Sequence, residues 1–264
     1  MDKTLLKGLG LFEIICAQED QPNTIDDLAV AAGLTRSNTH RTLQTLIAAG
    51  YVEKSSHSGG YKPTLKVFEL AAQRLARLDV RKIATPLMRR VAQHTRETVH
   101  LSVLDQLDVI YIDKIDSPNP VRAYSIIGGR APAHAVATGK AMLAFQSDEY
   151  LNRHTADLIR HTENTLTSLT ALKEELANIA RAGFAINRGE WRSNVGGIAA
   201  PIFDGHNKVI AALGISGPLE RLTIENMKRW SPLVLAAARD ISGEAGYVPA
   251  ISTNQTNTNP SVSQ

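Results

Sequence analysis

The chain has 264 residues, 43% hydrophobic and 21% charged, with a formal net charge of +3. That exceeds the roughly 100–150 residues of one ordinary domain, so two are expected, and the composition excludes wholesale disorder and a collagen-like or coiled-coil chain. No apolar run approaches the roughly 20 residues of a membrane span and the N-terminus has no basic-then-apolar leader, so a cytoplasmic protein without a membrane partner is expected.

Leu5, Leu9, Phe12, Ile15 and Cys16 recur at helical spacing and predict a first helix over 4–17, broken near Pro22. Cys16, the one cysteine, excludes an internal disulfide framework or a multi-cysteine zinc site, and its place in that pattern makes it a buried small hydrophobe. Thr24 with Asp27 forms a capping-box pattern for a second helix carrying Ile25, Leu28, Ala29 and Ala32, which Gly33 stops. Thr35 then caps a third helix over 36–49, with Thr39, Leu43, Leu46 and Ile47 inward and Gly50 as its stop. Two short helices meeting at a glycine turn make a helix-turn-helix. Tyr51–Lys54 and Tyr61–Pro63 read as strands around a polar turn with two glycines, which is a wing. Leu65, Phe68, Glu69, Ala72 and Leu75 continue as a linker helix over 65–78.

A second domain over 79–247 opens with a helix at 80–95 and strands at Val99–Val103 and Val109–Ile112. Further strands are expected at 121–127, 183–188, 196–203 and 208–216, and helices near 135–145, 170–182 and 222–243. The turn Asp204–Asn207 between apolar runs predicts an antiparallel hairpin. Strands and helices do not alternate one for one, so the class is α+β, an antiparallel sheet flanked by helices behind an N-terminal winged unit of residues 1–64. The tail 248–264 has too few apolar residues to order itself.

Positive charge is local: Arg36, Arg41, Lys54, Lys62 and Lys66 face a single acid, Glu53, between Thr35 and Lys66. A recognition helix needs hydrogen-bonding side chains and cations on its exposed side. The third helix supplies Arg36, Ser37, Asn38, His40, Arg41, Gln44 and Thr45, while Lys54, His57 and Lys62 place charge along the wing. Asn and Gln pair with adenine edges, Arg with guanine edges or phosphates. The competing interpretation is a solvated polar helix beside a hairpin.

The run LTRSNTHRTLQTLIAAGYVEK with YKPTLKVFEL resembles the winged helix-turn-helix of IclR-type bacterial transcriptional regulators. Downstream, GGRAPAHAVATGKAMLAF and GFAINRGEWRSNVGGIAAPIFDGHNKVIAALGISGP are similar to that family's effector-binding domain, in the same order. The resemblance implies a GAF-like ligand domain, a homodimer or homotetramer, and gene control, as repressor or activator, by a small organic acid. Carried over residue by residue, it implies a ligand pocket of Ala131, Ala137, Thr138, Asn187, Val195, Gly197, Gly214 and Ser216. Many family members carry Cys where Gly197 stands, Ser where Gly214 stands and an acid where Asn187 stands. If the two glycines leave added volume, a bulky aromatic carboxylate fits better than a two- or three-carbon acid; if they are required at a close approach, the pocket is no larger.

Gly139-Lys140 does not make a phosphate loop, because His134 and Ala141 stand where that motif needs Gly and Ser or Thr. The free N–H groups at the helix start, Ala137–Lys140, are instead placed to hold a carboxylate. The eight histidines are scattered, His154 and His161 reading as solvated surface residues, and no catalytic constellation or Gly-x-Ser-x-Gly elbow occurs. No metal or cofactor is expected. Trp191 with Arg188 and Arg192 reads either as an anion-binding lip or as an exposed loop. The expected function is a ligand-responsive regulator that binds a palindromic double-stranded DNA operator and senses a small carboxylate. The alternatives are an enzyme of α+β fold with a fused winged domain, and a protein-interaction scaffold.

Overall fold

A computed structural model of the chain describes residues 1–17, 24–55, 59–75, 79–154 and 158–248. They divide into two compact units, Met1–Leu78 and Asp79–Gln264. His57, Pro22 and nearly all of the tail fall outside the described residues.

The first unit holds α1 (Lys3–Ala17), α2 (Ile25–Ala31), α3 (Arg36–Ala48), the hairpin β1 (Val52–Lys54) and β2 (Tyr61–Pro63), and α4 (Lys66–Leu75). The capping box forms: the Thr24 side chain accepts from the Asp27 N–H, and the Asp27 carboxylate accepts from the Thr24 N–H. Leu11, Ile15, Leu28, Leu43, Val52 and Tyr61 are its buried core, with Phe12, Ile25, Ala32, Leu46 and Ile47 packed against them. Two expectations for α1 are corrected. Cys16 is exposed, and so are Leu5 and Leu9, while Leu11 and Ile15 are buried. Leu5, Leu6, Leu9, Leu11, Ile14 and Ile15 put apolar groups on more than one side of this helix, so periodicity alone does not choose the buried stripe; packing against α2, α3 and β2 does.

The second unit is one antiparallel sheet of six strands in the order β5-β4-β3-β8-β7-β6. The strands are β3 (Thr98–Asp105), β4 (Asp108–Ile115), β5 (Arg130–Pro132), β6 (Ala185–Arg188), β7 (Val195–Phe203) and β8 (Val209–Pro218). Helix α5 (Asp79–Thr95) and helix α9 (Ile224–Glu244) pack on each other and on the sheet, as do α6 (Ala137–Leu143) and α8 (Leu169–Ala182). The β7–β8 hairpin turns at Asp204–Asn207, where Asn207 takes a φ of 59°. A core of Val109, Ala133, Ala141, Leu143, Leu172 and Ala212, all fully buried, lies between sheet, α6 and α8.

One local expectation fails here, and two short elements stand where none was expected. Residues 121–127 form no strand; several of their carbonyls accept from side chains, Val121 from Arg221, Tyr124 from Arg192 and Ser125 from Lys114, and the Ile126 carbonyl accepts from the Gly129 N–H. A segment whose backbone is satisfied this way has no ladder to join. Helix α7 (Asp148–His154) and β5 have no counterpart in the expected elements. Helix α7 buries only Leu151, and β5 is three residues long, so neither carries a readable period.

Candidate nucleic-acid interface and ligand cavity

Helix α3 is positioned by its own ends. The Thr35 side chain accepts from the Asn38 N–H at 3.3 Å, and Gly33 and Gly50 take φ of 62° and 77°, the left-handed values that let the chain turn sharply on either side. Thr39 and Leu43 are fully buried and anchor the helix. The rest of the helix surface includes Arg36, Ser37, Asn38, His40, Arg41, Gln44 and Thr45, all exposed, and Lys54 and Lys62 are exposed on the wing. Some of these groups already have partners: Arg36 pairs with Asp26, Arg41 Nη2 donates to Asn38 Oδ1 at 3.3 Å, and Lys62 pairs with Glu53 at 2.9 Å. Lys66 is not part of this surface, since its Nζ donates to the Ala49 carbonyl at 2.6 Å and lies 4.4 Å from the centre of the Tyr51 ring.

In the second unit the register assembles a cavity. Asn187, Gly197 and Ser216 stand opposite one another across β6, β7 and β8, and His100 stands opposite Gly214 one row away. The start of α6 brings Ala137 and Thr138 over this patch, while Tyr111 and the segments 123–125 and 191–195 close its sides. The pocket holds about 510 Å³ of empty space counted together with the solvent at its opening. Seven of the eight expected ligand residues line it. Ala131 does not; it is buried in the core beside α6.

The two glycines line the cavity without enlarging it. A Cβ on Gly197 would stand 2.8 Å from the Ile215 carbonyl oxygen, and one on Gly214 would stand 2.7 Å from the Thr138 methyl. Glycine is thus required by close approach, of β7 to β8 at Gly197 and of β8 to α6 at Gly214, which corrects the expectation of added volume.

The cavity also uses residues that the sequence patterns left out. His100 is buried, with Nε2 at 2.6 Å from Ser216 Oγ, Nδ1 at 3.3 Å from Ser125 Oγ, and its ring 4.8 Å from that of Tyr111. Burial, then the Lys114 charge, pushes the imidazole down to about 4, so it is neutral at pH 7. Burial pushes the Tyr111 phenol up to about 12. Trp191 and Arg192 line the mouth, the guanidinium 4.5 Å from the indole centre, while Arg188 faces a separate depression beside Glu175 and Glu190. The only sequence signal for His100 was its place between Val99 and Leu101, on the other face of an apolar alternation. Tyr111 was hidden inside a run read as core.

Polar groups in this cavity are preset. Asn187 Oδ1 accepts from the Glu190 N–H at 2.9 Å, which leaves the Nδ2 amide as the donor it can offer. Among the described lining residues Arg192 alone carries a fixed positive charge, and none carries a negative one. No group of three or more candidate metal ligands occurs among the described residues, and no described helix is long and apolar enough to cross a membrane.

Residues 72–243 match the family described as Bacterial transcriptional regulator IclR C-terminal, and residues 4–56 match the IclR helix-turn-helix domain. The HTH-type transcriptional regulator KdgR of Escherichia coli (strain K12) is 35% identical over 246 residues, covering 92% of this chain and 93% of that protein. The crystal structure of the Thermotoga maritima IclR superposes with a TM-score of 0.78 at 28% identity, covering 92% of this chain and 99% of that one. An IclR homolog from Microbacterium hydrocarbonoxydans, crystallised with 4-hydroxybenzoate, superposes with a TM-score of 0.79 at 27% identity over 92% of this chain and 99% of its own.

Proposed function

Because the chain belongs to the IclR family of bacterial transcriptional regulators, we propose that it binds a palindromic operator through α3 and the wing and senses an aromatic monocarboxylate in the cavity of its second unit. The observation that carries the ligand class is the cavity lining: three aromatic rings, those of Tyr111, Tyr124 and Trp191, with one fixed positive charge and no negative one. Rings of this kind favour a flat apolar body, and Arg192, Asn187 Nδ2, Thr138 and Ser216 supply donors for a carboxylate or phenol. The neutral His100, whose ring nitrogens face the Ser216 and Ser125 hydroxyls, adds no charge that would favour a diacid. A related regulator crystallised with 4-hydroxybenzoate supports the same class.

On the DNA side, Arg36, Arg41 and Gln44 are the candidates for base edges, and Lys54 and Lys62 for phosphates. One recognition helix offers too few base contacts for typical specific affinity, so the working species is a homodimer or dimer of dimers on two half-sites. The exposed Leu65, just before α4, and Phe68, within it, support pairing through the 65–78 segment. Ligand acts by binding the two subunit geometries with different affinity. The second unit is on this reading a sensor and not a catalyst, and the protein works in the cytoplasm.

Sequencing of DNA fragments retained by the purified chain tests the first half; an inverted repeat is expected, and retention independent of sequence overturns it. Titration of the selected fragment in the presence of 4-hydroxybenzoate and, separately, pyruvate tests the second. A response to the aromatic acid at tenfold or lower concentration than to pyruvate supports the ligand class, and the reverse order overturns it.

A further inference from the structure

Lys140 is the largest fully buried side chain of the chain's described residues, and it lies one turn into α6, just past the cavity residues Ala137 and Thr138. Its ammonium is 2.7 Å from Glu190 Oε2, donates to Glu190 Oε1 at 2.8 Å, and reaches Glu175 Oε1 at 3.1 Å. Glu190 is itself buried and sits between the cavity residues Asn187 and Trp191. Thr165 Oγ donates to the Glu190 carbonyl at 2.6 Å, and the Glu190 N–H is the group that fixes Asn187 Oδ1.

A buried ion pair is a weak source of stability, because desolvation offsets most of the attraction and an apolar pair of similar volume does as well. Its distinctive property is direction: the pair is satisfied in one relative placement of α6 and the 187–191 segment, and both elements contribute lining residues to the cavity. We propose that the Lys140–Glu190 ion pair is a positioning element of the ligand site, holding the 187–191 turn against α6 so that Asn187 presents its Nδ2 donor and Trp191 closes the mouth. This rests on the cavity being the effector site. Neither Lys140 nor Glu190 touches the ligand; they set the geometry of residues that do.

The consequence is specificity. With Oδ1 committed to the Glu190 N–H, position 187 offers a donor to the ligand, so the cavity selects an acceptor such as a carboxylate at that point.

The test uses the full-length chain in a Trp230→Phe background, where Trp191 is the remaining tryptophan. Two variants are compared with that parent: Glu190→Gln, which discharges one partner, and Lys140→Met/Glu190→Leu, which removes both charges and leaves no unpaired buried ammonium. Three quantities are read: acrylamide quenching of Trp191, the side-chain amide resonance of Asn187, and affinity for 4-hydroxybenzoate beside affinity for the selected DNA. The expected result in the double variant is at least a twofold rise in Trp191 quenching, a shifted Asn187 amide signal and at least a tenfold loss of 4-hydroxybenzoate affinity, with DNA affinity unchanged. A folded double variant that keeps the parent's quenching and Asn187 signal overturns the proposal. If the parent itself fails to bind 4-hydroxybenzoate, the ligand reading fails, and the positioning role stands or falls on the two ligand-free signals.

Discussion

In the N-terminal unit the candidate contacts come from one helix and one short hairpin and stand exposed; in the C-terminal unit they come from β3, β4, β6, β7, β8, α6 and two loops, and most are buried. The first arrangement leaves polar groups in water until a partner displaces it, so its charges sit in weak, exchangeable pairs such as Lys62–Glu53. The second is largely buried, so several of its polar groups already have protein partners: His100 faces Ser216, Asn187 Oδ1 accepts from the Glu190 N–H, and behind the lining Lys140 meets two carboxylates. A surface site therefore tolerates loss of single residues with its fold intact, whereas a cavity site couples each change to stability.

The largest expected effect belongs to the cavity. His100 holds a folded-state value near 4 against 6.5 for an ordinary imidazole. Below pH 6.5 the unfolded chain binds a proton that the folded chain refuses, so stability is full above 6.5 and falls as the pH drops toward 4. The loss is on the order of 3 kcal/mol. Urea unfolding at pH 7.5, 5.5 and 4.5 should show this fall, and His100→Gln should flatten it; an unchanged slope in the variant breaks the assignment of that fall to His100.

Gly197→Leu comes next. Its first side-chain carbon would stand 2.8 Å from a backbone oxygen, so the variant should lose about 2 kcal/mol or more of stability, read by thermal unfolding, in addition to any effect on ligand. A fully stable variant with a smaller cavity would restore the idea that glycine there provides room.

Arg41→Ala should leave stability unchanged and weaken binding to the selected DNA by about 1–3 kcal/mol if the guanidinium reads a base. If it meets a phosphate, the main effect is a lower salt slope. Unchanged affinity at every salt concentration removes Arg41 from the interface. The smallest effect is expected at Lys62→Ala: its pair with Glu53 is more than half exposed, so folding should be indifferent and the salt slope should fall by about one charge contact.

Legibility in the sequence follows the same division. Caps at Thr24 and Thr35, stops at Gly33 and Gly50, and the hairpin at Asp204–Asn207 are local chemistry, and each stands where the sequence places it. Thr138, Asn187 and Ser216 were reachable through family resemblance, and they do meet in one cavity. The apolar spacing of residues 121–127 looks the same whether a ladder or distant side chains take the carbonyls, so it does not distinguish a strand from the irregular segment that forms. His100 and Tyr111 are not legible as cavity residues in the sequence, because a strand shows only that two faces differ, never which face closes a cavity.

What the sequence by itself determined is the order and ends of most elements, the polar outer side of α3 and the membership of the family, all of which depend on neighbours within a few residues or on collinear motifs. Only the tertiary structure decided which side of α1 is buried, that Gly197 and Gly214 mark close approach and not empty space, and that Lys140 is spent on Glu190 and Glu175. Each of those depends on a partner more than ten residues away along the chain, and no period or spacing in the sequence encodes a distance between segments that meet only after folding.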